Sequence, residues 1–365
     1  MKLIILKTLP PQKNNGAEIG NLERFRLLKA LGWQVEIHTA LNTENKESAI
    51  KIMKHFGAID KNDHMLLDHI PCFLHLDPRF HYNNTQARAP LRDFFHGLLN
   101  QYKPDVVWTQ YTEYPASSAA LLWNASRTWV DICDNEFPRL PEMSLDPQSM
   151  DIAQIYQLLR YAIVASPFMA KQIQEVFPFS NAIHLPYPMP ELRFPTANID
   201  RKFWLFVNPV PMKGLNFVID LAKRLPLENF AFVRNWAQLG DLENLPGNVT
   251  LIPQQATLKP LFVHSKGLLM PSQWDEAFGR VPLEAMAASV PVISSNKGAL
   301  PETVGTGGVV LPLEIECWLD TMTNSDPSFW ESLVLRGHER VKAYLRQCEG
   351  IYRSFLQTKQ QTEST

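Results

Sequence analysis

Cysteine is scarce. The four in this chain of 365 residues, Cys72, Cys133, Cys317 and Cys348, lie far apart and make no CxxC pair. They suggest neither a zinc site nor a disulfide framework, which fits a reducing cytoplasm. The ten histidines show no HxxxH spacing on one helix, and no Asp-X-Asp pair is there to hold a metal, so no metal is expected. Charge of one sign is missing too. Lys and Arg number 35 against 37 Asp and Glu, a net charge of −2, which excludes the clustered basic surface of a nucleic-acid binder. No apolar run reaches about 18 residues, so no transmembrane helix is expected. Met1 to Lys7 is too short for a signal-peptide core and is followed by polar residues.

What is there is an ordinary globular composition, 45% hydrophobic and 20% charged, in a chain too long for one typical core. Short apolar runs alternate with helical spacing. Residues 3–6 read as a strand, Ile19 to Leu31 as a helix with one buried face ended by Gly32, and Gln34 to Thr39 as the next strand. Such a β-loop-α-β unit implies a parallel sheet with a right-handed crossover. The alternation continues through helices at 46–56, 91–102, 114–124, 148–160 and 169–177. Strands are expected at 105–109, 128–132, 161–165 and 182–185. Residues 57–90 read as irregular. Aromatics near Phe80-His-Tyr82 and Phe94-Phe95 read as exposed or, alternatively, as a partly buried helix face, and no basic run flanks them.

Pro186 to Pro195 holds four prolines and reads as a stiff, exposed linker. Alternation then restarts, with strands at 203–207, 230–233, 249–252, 267–270, 292–294 and 309–311, a helix at 215–225, and closing helices over 328–356. The reading is α/β, two Rossmann-like, doubly wound domains facing across a cleft. The first spans 1–187 and the linker 188–200. The second spans 201–340, and a closing helix with its tail takes 341–365.

Chemistry concentrates in Pro271 to Ser295. A buried strand ends at Pro271, Pro282 suits a first helical position, and Glu284 then falls at the third. Glu276 and Glu284 are thus presented by one loop and one helix start, where open α/β sheets bind ligands. A carboxylate there matches paired sugar hydroxyls, although helix capping alone also favours a glutamate at the third position. Lys213-Gly214 lies between a strand and a helix N-terminus, either an anion site or a solvated loop lysine.

Glu276 and Glu284 with seven residues between them, Phe278-Gly279 among these, Ala285-Met-Ala287 and Pro291-Val-Ile293 after them, and Gly298-Ala-Leu-Pro-Glu302 beyond, resemble the signature of the retaining glycosyltransferases of family 4. That family has the two-domain GT-B fold. The resemblance covers most of 203–311, while residues 1–185 share only strand-helix order and the first loop.

The resemblance implies a nucleoside-diphosphate sugar as donor on the second domain and an acceptor on the first. Glu284 would hold the ribose hydroxyls and Glu276 those of the sugar. Backbone N–H groups of Phe278, Gly279 and Arg280 would face the sugar and diphosphate. The family has an arginine five residues before the lysine, and here that position is Asn208, leaving Arg280 or Arg234 as the other sources of a second charge. Gly16, after Asn15, takes the place of the family's glycine pair, with an ordinary turn glycine as the alternative. Asp134 stands where the family presents a His or Asp pair, with Cys133 before it, and Asp131 is the other candidate. Trp236 and Ile252 to Gln254 would border the base.

The acceptor would attack from the face the diphosphate leaves, without metal, cofactor or covalent nucleophile, and could be a glycan, a lipid-linked molecule, a protein or a small molecule. Peripheral membrane contact stays open. A nucleotide-sugar epimerase of the same fold and a non-catalytic sugar-nucleotide-binding scaffold are the alternatives.

Overall fold

The structure, a computed structural model, describes residues 1–11, 16–80, 88–134, 155–189, 201–234, 242, 244–255 and 257–362. Asn15, Trp236, Tyr82, Pro190 to Asp200 of the linker and most of the helix expected at 148–160 lie outside them. Two compact units divide the chain, Met1–Met189 and Pro190–Thr365.

The first unit is built on β1 (Lys2–Lys7), β2 (Gln34–Leu41), β3 (Ile59–Asp60), β4 (Met65–Leu67), β5 (Ile70–Leu76), β6 (Val106–Gln110), β7 (Thr128–Ile132), β8 (Tyr161–Val164) and β9 (Asn181–His184). These described strands form one sheet in the order β3-β4-β5-β2-β1-β6-β7-β8-β9. Leu3 to Leu6 are all buried, the continuous apolar run of a strand covered on both faces. The strand order reverses between β1 and β6, which pair in parallel. That makes their C-terminal ends a topological switch point.

The stretch read as irregular, 57–90, contains three of these strands. β4 and β5 pair antiparallel through a two-residue turn, Asp68-His69, both left-handed, with φ of 52° and 66°. That is hairpin geometry, which favours Asn-Gly, so Asp-His gave no turn signal. Phe80 and Phe95 are buried, and the Phe94 ring lies 5.1 Å from Phe80 and 5.5 Å from Phe95. Of the two readings of these aromatics, exposed or part of a buried face, the buried one holds for both. The start of the proline stretch is packed as well, not exposed. Tyr187 is buried, its ring lies where a Cβ on Gly20 would stand, and the Arg24 guanidinium sits 4.1 Å from its centroid.

Two histidines are enclosed together on β2 and β5. His38 Nδ1 is 3.0 Å from His75 Nε2, His38 Nε2 is 3.3 Å from Glu36, and Lys2 is 3.3 Å from the same carboxylate. Burial, then the charge of His38, lower His75 to about 4, and burial lowers His38 too, against the pull of Glu36. The unfolded chain protonates both at about pH 6.5. Their contribution is complete above that value and is lost as pH falls from there toward 4. The melting temperature should drop between about pH 7 and pH 5, and His75→Gln should flatten that drop. An equally steep drop in the variant would contradict the assignment.

The second unit is built on β10 (Phe203–Val207), β11 (Phe230–Val233), β12 (Val249–Ile252), β13 (Ser265–Met270), β14 (Val292–Ser295) and β15 (Val309–Leu311), in the order β12-β11-β10-β13-β14-β15 with every described pair parallel. This is the doubly wound dinucleotide-fold order, and its switch point lies between β10 and β13. Trp204, Phe206, Phe230, Phe232, Leu269 and Ile293 pack one core with Val218 and Leu221 of the helix Leu215–Arg224. The closing segment is one helix, Pro327–Thr362. Among the described residues no helix is long and apolar enough to cross a membrane.

Candidate active site

The second unit's switch point is filled by the two loops that sequence reasoning singled out. β10 ends at Val207, and the chain turns through a short 3₁₀ segment, Pro211–Lys213, into the helix Leu215–Arg224. Gly214 between them has φ of 91°, and a Cβ there would stand 2.2 Å from the Pro271 carbonyl oxygen. Only glycine lets the lysine loop lie this close to the end of β13. The loops are also stitched by backbone, Gln273 and Trp274 both donating to the Met212 carbonyl at 2.9 and 3.1 Å.

Lys213 Nζ reaches Glu276 Oε1 at 2.5 Å across this junction, with the side chains 19% and 11% exposed. The pair is therefore largely withdrawn from water yet open enough to meet a ligand. Oε1 carries the contact, so Oε2 is left to accept from another donor. Glu276 is held by its own backbone, its carbonyl accepting from Ala299 N–H at 2.7 Å.

The next helix is Arg280–Ala287, capped by Gly279. It begins two residues before Pro282, so Glu284 is its fifth residue, not its third. The left-handed Gly279 supplies the turn into the helix, so proline is not needed to start it. Glu284 Oε1 accepts from Arg280 Nε at 2.6 Å, one helical turn away. Arg280 is thus committed to a carboxylate. The Phe278 side chain is buried, 5.6 Å ring to ring from Tyr344, and its carbonyl accepts from the Thr303 hydroxyl. Asn208, where the family arginine was expected, follows β10 with φ of 62°, and its Oδ1 is buried without a partner.

In the first unit, Gly16 is the exposed first residue of the helix Gly16–Ala30, with open space where a Cβ would lie. Asp134 follows β7 and accepts from the Tyr111 hydroxyl. Burial and the Asp134 charge push that phenol far above its ordinary value. Asp131 is turned into the core of the unit. It is fully buried, 2.7 Å from both Arg24 Nη1 and Asn21 Nδ2, because strand alternation turns it under the first helix.

Sequence reasoning missed a cluster at the first switch point. Lys7 Nζ stands 2.7 Å from Glu18, 3.2 Å from Gln110 and 3.6 Å from Glu113. Thr8 donates its N–H to Glu113 at 2.7 Å. Burial alone would lower the Lys7 ammonium, and Glu18 and Glu113 override it. Burial also pushes the Glu113 carboxyl up, against Lys7 and Thr8. The available signal was a lysine ending an apolar strand, but its partners lie about a hundred residues away. Beside the cluster is a 230 Å³ cavity lined by Thr8, Asn42, Ser48, Ile52, Phe80 and Leu91 among others, with no charged side chain among the described residues of its wall.

Residues 191–312, which contain Lys213, Glu276 and Glu284, match the profile of the glycosyl transferases group 1 family. The chain carries a group 1 glycosyltransferase domain. A 93-residue stretch is 38% identical to the alpha-1,3/1,6-mannosyltransferase alg-2 of Neurospora crassa, covering 24% of this chain and 20% of that one. The chain spans only 13% and 20% of the length of two curated relatives it matches. Sucrose-phosphate synthase from Thermosynechococcus elongatus superposes over all of both chains, with a TM-score of 0.76 at 18% identity. Anabaena HepE, solved with UDP and glucose, superposes over 99% of this chain and 100% of its own, with a TM-score of 0.68 at 15% identity. The glycosyltransferase domain therefore sits within a GT-B fold.

Proposed function

We propose that the protein is a retaining glycosyltransferase of family 4 that moves a sugar from a nucleoside-diphosphate sugar to an acceptor. The observation that carries this reading is the Lys213–Glu276 pair across the second switch point, with Glu284 on the following helix. Glu276 Oε2 accepts from hydroxyls of the donor sugar, and Glu284 from those of the ribose. The anomeric carbon–oxygen bond to the diphosphate breaks as the acceptor oxygen bonds to that carbon on the same face. The acceptor proton passes to the departing diphosphate. The negative charge that builds there meets the Lys213 ammonium and the N-terminus of the helix after Gly214, so the step needs no metal.

The acceptor belongs to the first unit, where the cavity beside Thr8, whose described lining carries no charge, suits a neutral group. The widely spaced free cysteines fit a cytoplasmic setting. Because HepE was solved with UDP and glucose, UDP sugars are the first donors to try.

Radiolabelled nucleotide sugars, incubated with the protein and an acceptor extract, test the reading. Label should move into a new product, and Glu276→Ala should abolish most of that transfer. Interconversion of free donor without transfer would mark an epimerase instead. Donor binding without turnover, unchanged in Glu276→Ala, would mark a non-catalytic scaffold.

A further inference from the structure

We infer that Arg234 is the second cation of the diphosphate site, in the role that Asn208 cannot fill. The inference rests on the donor reading above. A departing diphosphate carries more charge than one lysine neutralises, and at Asn208 the chain offers an amide. Asn208 is the residue just past β10, and its N–H donates to the Val233 carbonyl at 2.8 Å. Arg234 is the residue just past β11, and β10 and β11 pair in register with Val207 opposite Val233. The two therefore stand side by side at the same C-terminal sheet edge, one strand apart, about 4.8 Å in the hydrogen-bonding direction. An arginine side chain is long enough to span that gap and present its fork where a side chain from position 208 would.

The state of the guanidinium supports this. Arg234 N–H is spent on the Ile252 carbonyl at 2.9 Å, which fixes its backbone. Its side-chain Nε is buried without a hydrogen-bond partner, and so is Asn208 Oδ1 beside it. The Arg234 Nε–H is an unsatisfied donor, and a phosphate oxygen, which accepts, would relieve its desolvation cost. No carboxylate pairs with Arg234 among the described residues. Arg280, the other candidate, also has a buried N–H without a partner, at Nη1, but gives its Nε to Glu284 at 2.6 Å, and that ion pair is what separates the two. Of the two arginines, Arg234 is the one whose charge is uncommitted. A planar fork also suits two phosphate oxygens better than a second point charge would.

Calorimetry on the full chain tests the assignment. The probe is whichever of UDP, GDP and ADP binds the unaltered protein most tightly, with the matching monophosphate. Arg234→Gln should weaken the diphosphate by about 10- to 100-fold and the monophosphate much less. Arg234→Lys, which keeps the charge, should stay within a few-fold. Asn208→Arg, added to Arg234→Gln, should recover most of the loss, which a merely structural arginine would not allow. Unchanged diphosphate affinity in Arg234→Gln would overturn the inference. So would equal losses for both nucleotides, or no recovery in the double variant. If the unaltered protein binds none of the three, the donor reading itself fails, and the inference with it.

Discussion

Lys213→Ala should slow sugar transfer by about 10²- to 10³-fold, the usual loss when a preorganised group facing developing charge is removed. Two effects act together. The leaving diphosphate loses the ammonium that meets its growing charge. Glu276, only 8% exposed, also loses the partner 2.5 Å away that offsets its own charge. A nearly buried carboxylate left alone would then repel the donor. Single-turnover rates at saturating donor separate the chemical step from binding. A loss below about tenfold would take Lys213 out of the charge-neutralising role.

Gly298→Ala should be nearly as damaging, though residue 298 bears no side chain to touch a substrate. Its φ is 57°, and an added Cβ would stand 2.4 Å from the Glu276 nitrogen and 2.5 Å from the Glu276 carbonyl oxygen. Both obstacles are backbone, so the loop must move. That loop is also tied to this segment by Ala299 N–H on Glu276 and by Gly298 N–H on Asp275 Oδ1 at 3.0 Å. Displacing Glu276 by about an ångström should cost about 10²-fold in turnover. The left-handed backbone should cost a further 1–3 kcal/mol or so of stability. Nucleotide affinity should fall less, since Glu284 stands on a helix of its own. Steady-state kinetics with a thermal melt check both parts, and wild-type turnover in this variant would show that the loop position does not matter.

The second unit was the more legible because its physics is local. Apolar runs bounded by proline and glycine marked the strands, and Glu276, Glu284 and Lys213 all lie within a few residues of a strand end or a helix start. Even there the helix start was misplaced, since Pro282 is a strong signal and the Gly279 turn a weak one. The first unit hid more because its decisive contacts are distant in sequence. Lys7 meets Glu113 across the switch point, and Asp131 meets Arg24 beneath a helix. The Asp68-His69 hairpin uses left-handed residues that are not glycine. Tyr187, amid prolines that suggest exposure, is buried by a gap that Gly20 leaves open. None of these has a short-range signature.

The division of labour between the two carboxylates is the centre of the account. It is tested most directly by titrating the free nucleoside diphosphate into the unaltered protein, Glu284→Ala and Glu276→Ala. Glu284→Ala should lose about 1–3 kcal/mol of affinity, as expected for a hydrogen bond to a charged group. Glu276→Ala, whose partner is the sugar that this ligand lacks, should bind it nearly as well as the unaltered protein. Equal losses in the two variants would contradict the assignment of ribose to Glu284 and sugar to Glu276.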